Sequence, residues 1–178
     1  MNVTLTPGFT EEWFHESSQV ALAALVSSAP DGLVIEIGSW EGRSTCALAN
    51  AAHPRPVHAV DTWRGTPHEQ TGPLAAQRDI HAQFLVNVDH YTKGNVVPHR
   101  MGWREYVPTI TEPVGLVFID AEHTYNEVRD NIAAFLPLMA DGGIICGDDA
   151  AWPAVARAVL DAFGDRVWVT ASIWWVTA

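Results

Sequence analysis

The chain has 178 residues, 48% hydrophobic and 17% charged, a composition that buries a core and excludes a disordered or coiled-coil protein. Ten Lys and Arg against 21 Asp and Glu leave a formal charge of −11, which argues against a nucleic-acid surface. No apolar stretch approaches the ~20 residues that a bilayer span needs. The first ten residues carry no basic-then-apolar leader, so a cytoplasmic protein without a membrane partner is expected.

In chain order, a helix is predicted over 11–27, with Thr10 as its N-cap and Phe14, Leu22, Leu25 and Val26 on one face. Ala29-Pro30-Asp31-Gly32 ends it. Leu33–Ile37 reads as a strand, Arg43–Ala52 as an alanine-rich helix and 57–60 as a second strand. Ile80, Phe84, Leu85 and Val88 recur at helical spacing. A third strand ends near His99-Arg100, and 103–110 reads as a short helix. Val114–Ile119 is a continuously apolar strand. Thr124 and Glu127 have capping-box spacing ahead of Val128, Ile132, Phe135, Leu136 and Met139. A strand at 143–146 precedes a helix with Pro153 at its first position. Segments 166–170 and 172–176 close the chain as two strands. Cys46 and Cys146 lie inside apolar runs and read as buried free thiols.

Near-continuous apolar strands separated by helices imply a mainly parallel sheet covered on both faces. The last two strands are too close in sequence for a parallel crossover and must pair antiparallel. The expected class is therefore α/β: a Rossmann-like, doubly wound, seven-stranded sheet ending in a hairpin. It forms one unit, with an N-terminal helical segment over 1–30 and the core over 31–178. Such sheets bind ligands beyond the carboxyl ends of their strands.

Strand one runs into Glu36-Ile37-Gly38-Ser39-Trp40-Glu41-Gly42-Arg43-Ser44. Gly38 suits a tight turn and Gly42 the start of a helix, as either a plain turn or a ligand loop. Trp40 stands where a pyrophosphate loop often has glycine, and Glu36 suits a ligand bearing an amino group. Strand two ends in Asp61-Thr62-Trp63. An acid about 20 residues after a glycine loop is placed to accept hydrogen bonds from ribose hydroxyls, and is otherwise an ordinary strand-end residue. The polar stretch 64–73 is long for an α/β connection and reads as a lid or a plain loop.

Strands four and five end in Asp120-Ala121-Glu122-His123 and in Gly147-Asp148-Asp149. If these strands are neighbours, about 4.8 Å apart, their carboxylates converge and raise one another's pKa. A hard divalent cation, Mg²⁺, Mn²⁺ or Ca²⁺ before zinc, resolves that conflict. The alternative is that Asp148 and Asp149 cap the next helix while Asp120 bonds loop amides. His123 faces the same crevice as a general base, or serves as an ordinary structural histidine. Among eight tryptophans, Trp40, Trp63 and Trp103 follow strand ends and are candidates to line a ligand.

Four blocks together, residues 36–45, 60–65, 118–125 and 141–149, resemble class I S-adenosylmethionine (SAM)-dependent methyltransferases. They are most similar to the metal-dependent sugar O-methyltransferases of macrolide and aminocoumarin biosynthesis. The resemblance implies that Glu36, Gly38, Ser39, Trp40, Gly42, Ser44 and Thr45 hold or pack against the methionine part of SAM. It places Asp61, with Thr62 and Trp63, at the ribose, Met101, Gly102 and Trp103 beside adenine, and Asp120 at the cofactor's edge. It makes Asp120, Asp148 and Asp149 magnesium ligands. The base is His123, as in the macrolide sugar enzymes, or Glu122, where some aminocoumarin relatives place an acid. The implied reaction is methyl transfer to a hydroxyl of a small polyhydroxylated acceptor, a sugar or natural-product intermediate. The 64–73 loop and the opening helix are candidates to build its pocket, either alone or with a second subunit of a homodimer. Two other classes fit the same sheet, a nicotinamide-dependent oxidoreductase and a non-catalytic cofactor binder; Trp40 crowds the first, and the intact acids speak against the second.

Overall fold

The computed structural model describes residues 5–178; the first four residues of the N-terminal segment lie outside them. Five strands, β1 (Leu33–Ile37), β2 (Val57–Asp61), β3 (Val96–Arg100), β4 (Val114–Ile119) and β5 (Met139–Gly147), run parallel in the order β3-β2-β1-β4-β5. The last two, β6 (Trp168–Thr170) and β7 (Ile173–Thr177), pair antiparallel, and β7 docks antiparallel on β5, completing the order β3-β2-β1-β4-β5-β7-β6. This is the doubly wound sheet with a terminal hairpin that the sequence pattern predicts.

Side chains alternate across the sheet with period two. Val34, Leu116, Phe118, Ile144 and Cys146 pack with α1 (Glu16–Ser28) and α2 (Arg43–Ala52). Ile35, Val117, Ile119 and Ile145 pack on the other face against α6 (Tyr125–Phe135) and α7 (Pro153–Phe163). Between these layers run α3 (Thr71–Ala75), α4 (Ile80–Tyr91) and the single turn α5 (Trp103–Tyr106). Both cysteines are buried and free. Among the described residues, no helix is long and apolar enough to cross a membrane.

Several elements depart from the sequence reading. α1 begins at Glu16, not Glu11, and Thr10 caps nothing. Instead, Thr10 donates its backbone N–H to Glu41 Oε2 at 2.8 Å, and its hydroxyl donates to the same carboxylate. Glu41 is almost fully buried and paired with Arg78, so a buried charge with two partners outcompetes a helix cap. Leu85, read from helical spacing, is exposed. α6 stops at Phe135, because Pro137 cannot continue it; Leu136 is exposed and Met139 opens β5. Half the predicted capping box forms: Thr124 Oγ1 accepts from Glu127 N at 3.3 Å, while the Glu127 carboxylate turns to Arg104 at 2.7 Å and to Trp103 Nε1 at 3.1 Å.

Candidate active site

A cleft of about 1080 Å³ opens beyond the carboxyl ends of β1, β2, β4 and β5. Its first wall is the β1–α2 turn. Gly38 has φ +88°, and a Cβ there would run into the Asp120 carbonyl, so glycine lets the first loop lie directly on the end of β4. Trp40 follows at φ 47°, a conformation that costs a non-glycine residue about 1–2 kcal/mol. It is held there from several sides. Asp61 Oδ2 accepts from the N–H groups of Ser39 and Trp40, both at 2.9 Å, and Trp63 Nε1 donates to the Trp40 carbonyl at 2.8 Å. Asp61 Oδ1 accepts from Trp63 N at 2.6 Å. The predicted ribose acid therefore also staples two strand tips together, and burial pushes its pKa up against those hydrogen bonds.

Ile37, Gly38, Trp40, Asp61 and Thr62 line the cleft, as do Met101, Gly102 and Trp103 from the end of β3. Six other residues read as cofactor contacts stand behind this wall. Alternation along β1 turns Glu36 toward α2, where Thr45 donates its hydroxyl to Glu36 Oε2 and Ser44 packs alongside, all three buried. Glu36 Oε1 has no partner, and burial raises the Glu36 carboxyl to about 7. Gly42, at φ +89°, starts α2 against the Phe84 ring, and Trp63 is buried between His81 and Phe84. Ser39 presents its N–H to Asp61, and its buried hydroxyl has no partner.

The second wall joins β4 to β5, which pair in parallel as expected. Asp120, His123 and Asp149 each bring one ligand atom to within 4.8 Å of the others. His123 Nε2 lies 2.9 Å from Asp149 Oδ2 and 3.7 Å from Asp120 Oδ1. Asp120 Oδ1 lies beyond hydrogen-bond reach, and the Asp149 contact is an ion pair, so this buried nitrogen is held by charge between two carboxylates and makes no formal hydrogen bond. Asp149 reaches the cluster through φ 56°, the left-handed turn that sends consecutive aspartates different ways. Asp148, read as a third ligand, is outside the cluster, its carboxylate taken by the Ser172 hydroxyl from the β6–β7 turn. Burial and the Asp120 charge push Asp148 up to about 6, and burial raises Asp120 as well.

Burial works to lower the His123 pKa, but the carboxylates of Asp120, Asp149 and Glu69 overcome it and raise it to about 11. Glu69 is the residue that sequence reasoning missed. It reaches from the 64–73 loop, accepts from His123 N at 3.0 Å and sits 3.1 Å from His123 Nδ1. The length of that loop was its only signal. Glu122 lines the cleft without a described hydrogen bond.

Residues 35–150 match the family of methyltransferase domains. The chain belongs to that methyltransferase family. This sets aside the oxidoreductase alternative. No curated protein matches the chain. Among solved structures, the O-methyltransferase NovP is 16% identical with a TM-score of 0.65, covering 90% of this chain and 79% of its own. CalS11, a TDP-rhamnose 3'-O-methyltransferase of calicheamicin biosynthesis, is 18% identical with a TM-score of 0.58, covering 90% and 76%. An O-methyltransferase from Bacillus cereus in complex with SAH is 18% identical with a TM-score of 0.60, covering 92% and 82%. At these identities the likeness is one of fold.

The methyltransferase cleft is closed on its outer side by the segment before α1. Trp13 packs on Trp40 with ring centroids 6.0 Å apart, and Glu12, Phe14 and His15 line the same space. The Thr10–Glu41–Arg78 network anchors this segment, which gives the buried Glu41 its place in the architecture. Left-handed φ values put two strained residues, Trp40 and Asp149, in the lining of the cleft and a third, Trp63, directly behind it, the clustering expected of a working site.

Proposed function

We propose that this methyltransferase moves a methyl group from SAM to a hydroxyl of a small polyhydroxylated acceptor with the help of a hard divalent cation such as Mg²⁺. The observation that carries the proposal is the meeting of Asp120, His123 Nε2 and Asp149 at the floor of the cleft that Gly38 and Asp61 also line. The carboxylates of Asp120 and Asp149 crowd one another at this point, and burial together with the neighbouring acids raises the Asp120 pKa, a conflict that a cation beside those oxygens relieves.

Asp120 and Asp149 are the proposed ligands, with Asp148 held behind them on Ser172. A hard ion prefers oxygen to imidazole nitrogen, which leaves His123 for the proton. When bound, the ion supplies Lewis-acid polarisation of the acceptor hydroxyl, and SAM supplies an electrophilic methyl on sulfur. The chain's own residues do the rest. The Gly38 turn and the tip of β2 form the cofactor wall, with Asp61 offering its remaining lone pairs to ribose hydroxyls. Met101, Gly102 and Trp103 form the adenine side. The acceptor oxygen would take the methyl as the carbon–sulfur bond breaks, and its proton would go to His123 once a cation on Asp120 and Asp149 offsets the charge that holds the imidazole protonated, with Glu122 as the second acid–base group. Charge is neutralised along this path, so the protein contributes chiefly positioning. Glu69 fixes the imidazole from behind, through its backbone N–H and Nδ1.

The test is incubation with methyl-labelled SAM, Mg²⁺ and a panel of vicinal diols, followed by product analysis. The proposal expects label in an O-methyl product and one SAH released per methyl transferred. Binding of SAH with no label in any product would make the chain a cofactor-binding protein instead.

A further inference from the structure

The cleft carries carboxylates well beyond what any cation of the chain balances. Glu12, Glu69 and Glu122 surround its mouth, in addition to Asp120 and Asp149 at its floor. His123 is engaged by Glu69 at 3.1 Å and Asp149 at 2.9 Å, which leaves Glu12, Glu122 and Asp120, and among the described residues Arg104 is the one arginine or lysine that lines the cleft. That guanidinium is already committed: it meets Glu127 at 2.7 Å and Asp130 at 3.2 Å, and it lies over the Trp103 ring at 4.2 Å. The chain as a whole is strongly acidic, and a concave site focuses that field. Even with a divalent ion and a sulfonium present, the lining keeps an excess of acids.

A phosphate or carboxylate brought into such a space loses its water and finds no unpaired cation to replace it. The apolar surface on offer is of another kind. Trp13 and Trp152 both line the cleft while remaining 45% and 51% exposed, and the Trp152 ring stands 5.4 Å from that of His123. Indole faces beside carboxylates suit the apolar face of a ring and attract an ammonium group.

We infer that the cleft selects its methyl acceptor by charge, admitting neutral polyols, favouring those that bear an amine, and rejecting phosphorylated or carboxylated ones. The inference rests on the O-methyl-transfer reading and deepens it to a substrate class.

The test uses three catechols that present the same vicinal diol with different charge: dopamine, 4-methylcatechol and 3,4-dihydroxybenzoate. Methyl transfer is measured with SAM and Mg²⁺ at low ionic strength and again in 0.5 M NaCl. The expected order of kcat/KM is dopamine, then 4-methylcatechol, then dihydroxybenzoate. The ends should differ at least about tenfold, and the spread should contract in high salt as screening shortens. Intrinsic differences in catechol reactivity do not respond to salt in this way. Equal or inverted rates overturn the charge selection and leave the reaction standing.

Transfer to none of the three counts against the reaction. Calorimetric affinities in the presence of SAH and Mg²⁺ then decide the charge selection by the same order. Glu12→Gln, an exposed change at the mouth, should lower the dopamine-to-dihydroxybenzoate ratio about twofold, and an unchanged ratio would count against the inference.

Discussion

Replacing Gly38 by alanine isolates the contact that ties the two walls of the cleft together. The substitution adds one methyl group at φ +88°, where an L residue is strained by about 1–2 kcal/mol. The same Cβ would stand 2.6 Å from the Asp120 carbonyl carbon and 2.8 Å from Ala121 Cα, well inside the ~3.5 Å at which such atoms rest. Both obstacles are backbone and cannot rotate away, so the end of β4 must shift, adding about 1–3 kcal/mol of overpacking. A total near 3–4 kcal/mol lowers Tm by roughly 10 °C in a domain of this size. Gly94→Ala is the control. Its φ is +79° and nothing lies within 4 Å of the added Cβ, so it carries the strain alone, about 1 kcal/mol. Thermal and urea unfolding of both variants, with SAH and Mg²⁺ affinities, is the assay. Gly38→Ala should unfold several degrees below Gly94→Ala and lose affinity for both ligands, because the displaced backbone carries Asp120. Two variants that unfold within a degree of each other would refute the claim that the first loop rests on β4.

Glu69→Ala removes the carboxylate behind His123 and should lower kcat by 10- to 100-fold while leaving SAH affinity unchanged; stopped-assay kinetics with calorimetry separates the two quantities. Glu69→Gln retains an acceptor for the His123 N–H and should recover part of the loss. The raised pKa of Glu36 has a signed consequence for stability. Its folded value, about 7, lies above the unfolded 4.5, so the contribution is fully present below pH 4.5 and is lost as pH rises to about 7. Urea unfolding of Glu36→Gln beside the parent should show the variant gaining about 3 kcal/mol relative to the parent between pH 4.5 and 7.5, and a pH-independent difference would contradict it.

The fold is legible because its signals are local. β4 is six buried apolar residues in a row, α2 is an alanine-rich run between a glycine and a proline turn, and Pro153 occupies a first helical position. The site is legible only as a neighbourhood. Strand order brings the tips of β4 and β5 together, yet sequence cannot tell which of two adjacent aspartates enters the crevice; the left-handed turn at Asp149 decides it. Strand alternation hides Glu36 behind the wall, a consequence of its parity with Val34 that the motif alone obscures. Thr10 and Glu69 find their partners 31 and 54 residues away, and no local periodicity records such pairings.

The most direct measurement is the Mg²⁺ dependence of methyl transfer from SAM to a vicinal diol by the parent enzyme and by Asp149→Asn. Treatment with EDTA should abolish turnover in the parent, added Mg²⁺ should restore it with a saturable dependence, and Asp149→Asn should stay inactive at concentrations that saturate the parent. Undiminished turnover in EDTA, or an Asp149→Asn enzyme with the parent's rate and metal response, would contradict a cation held between Asp120 and Asp149.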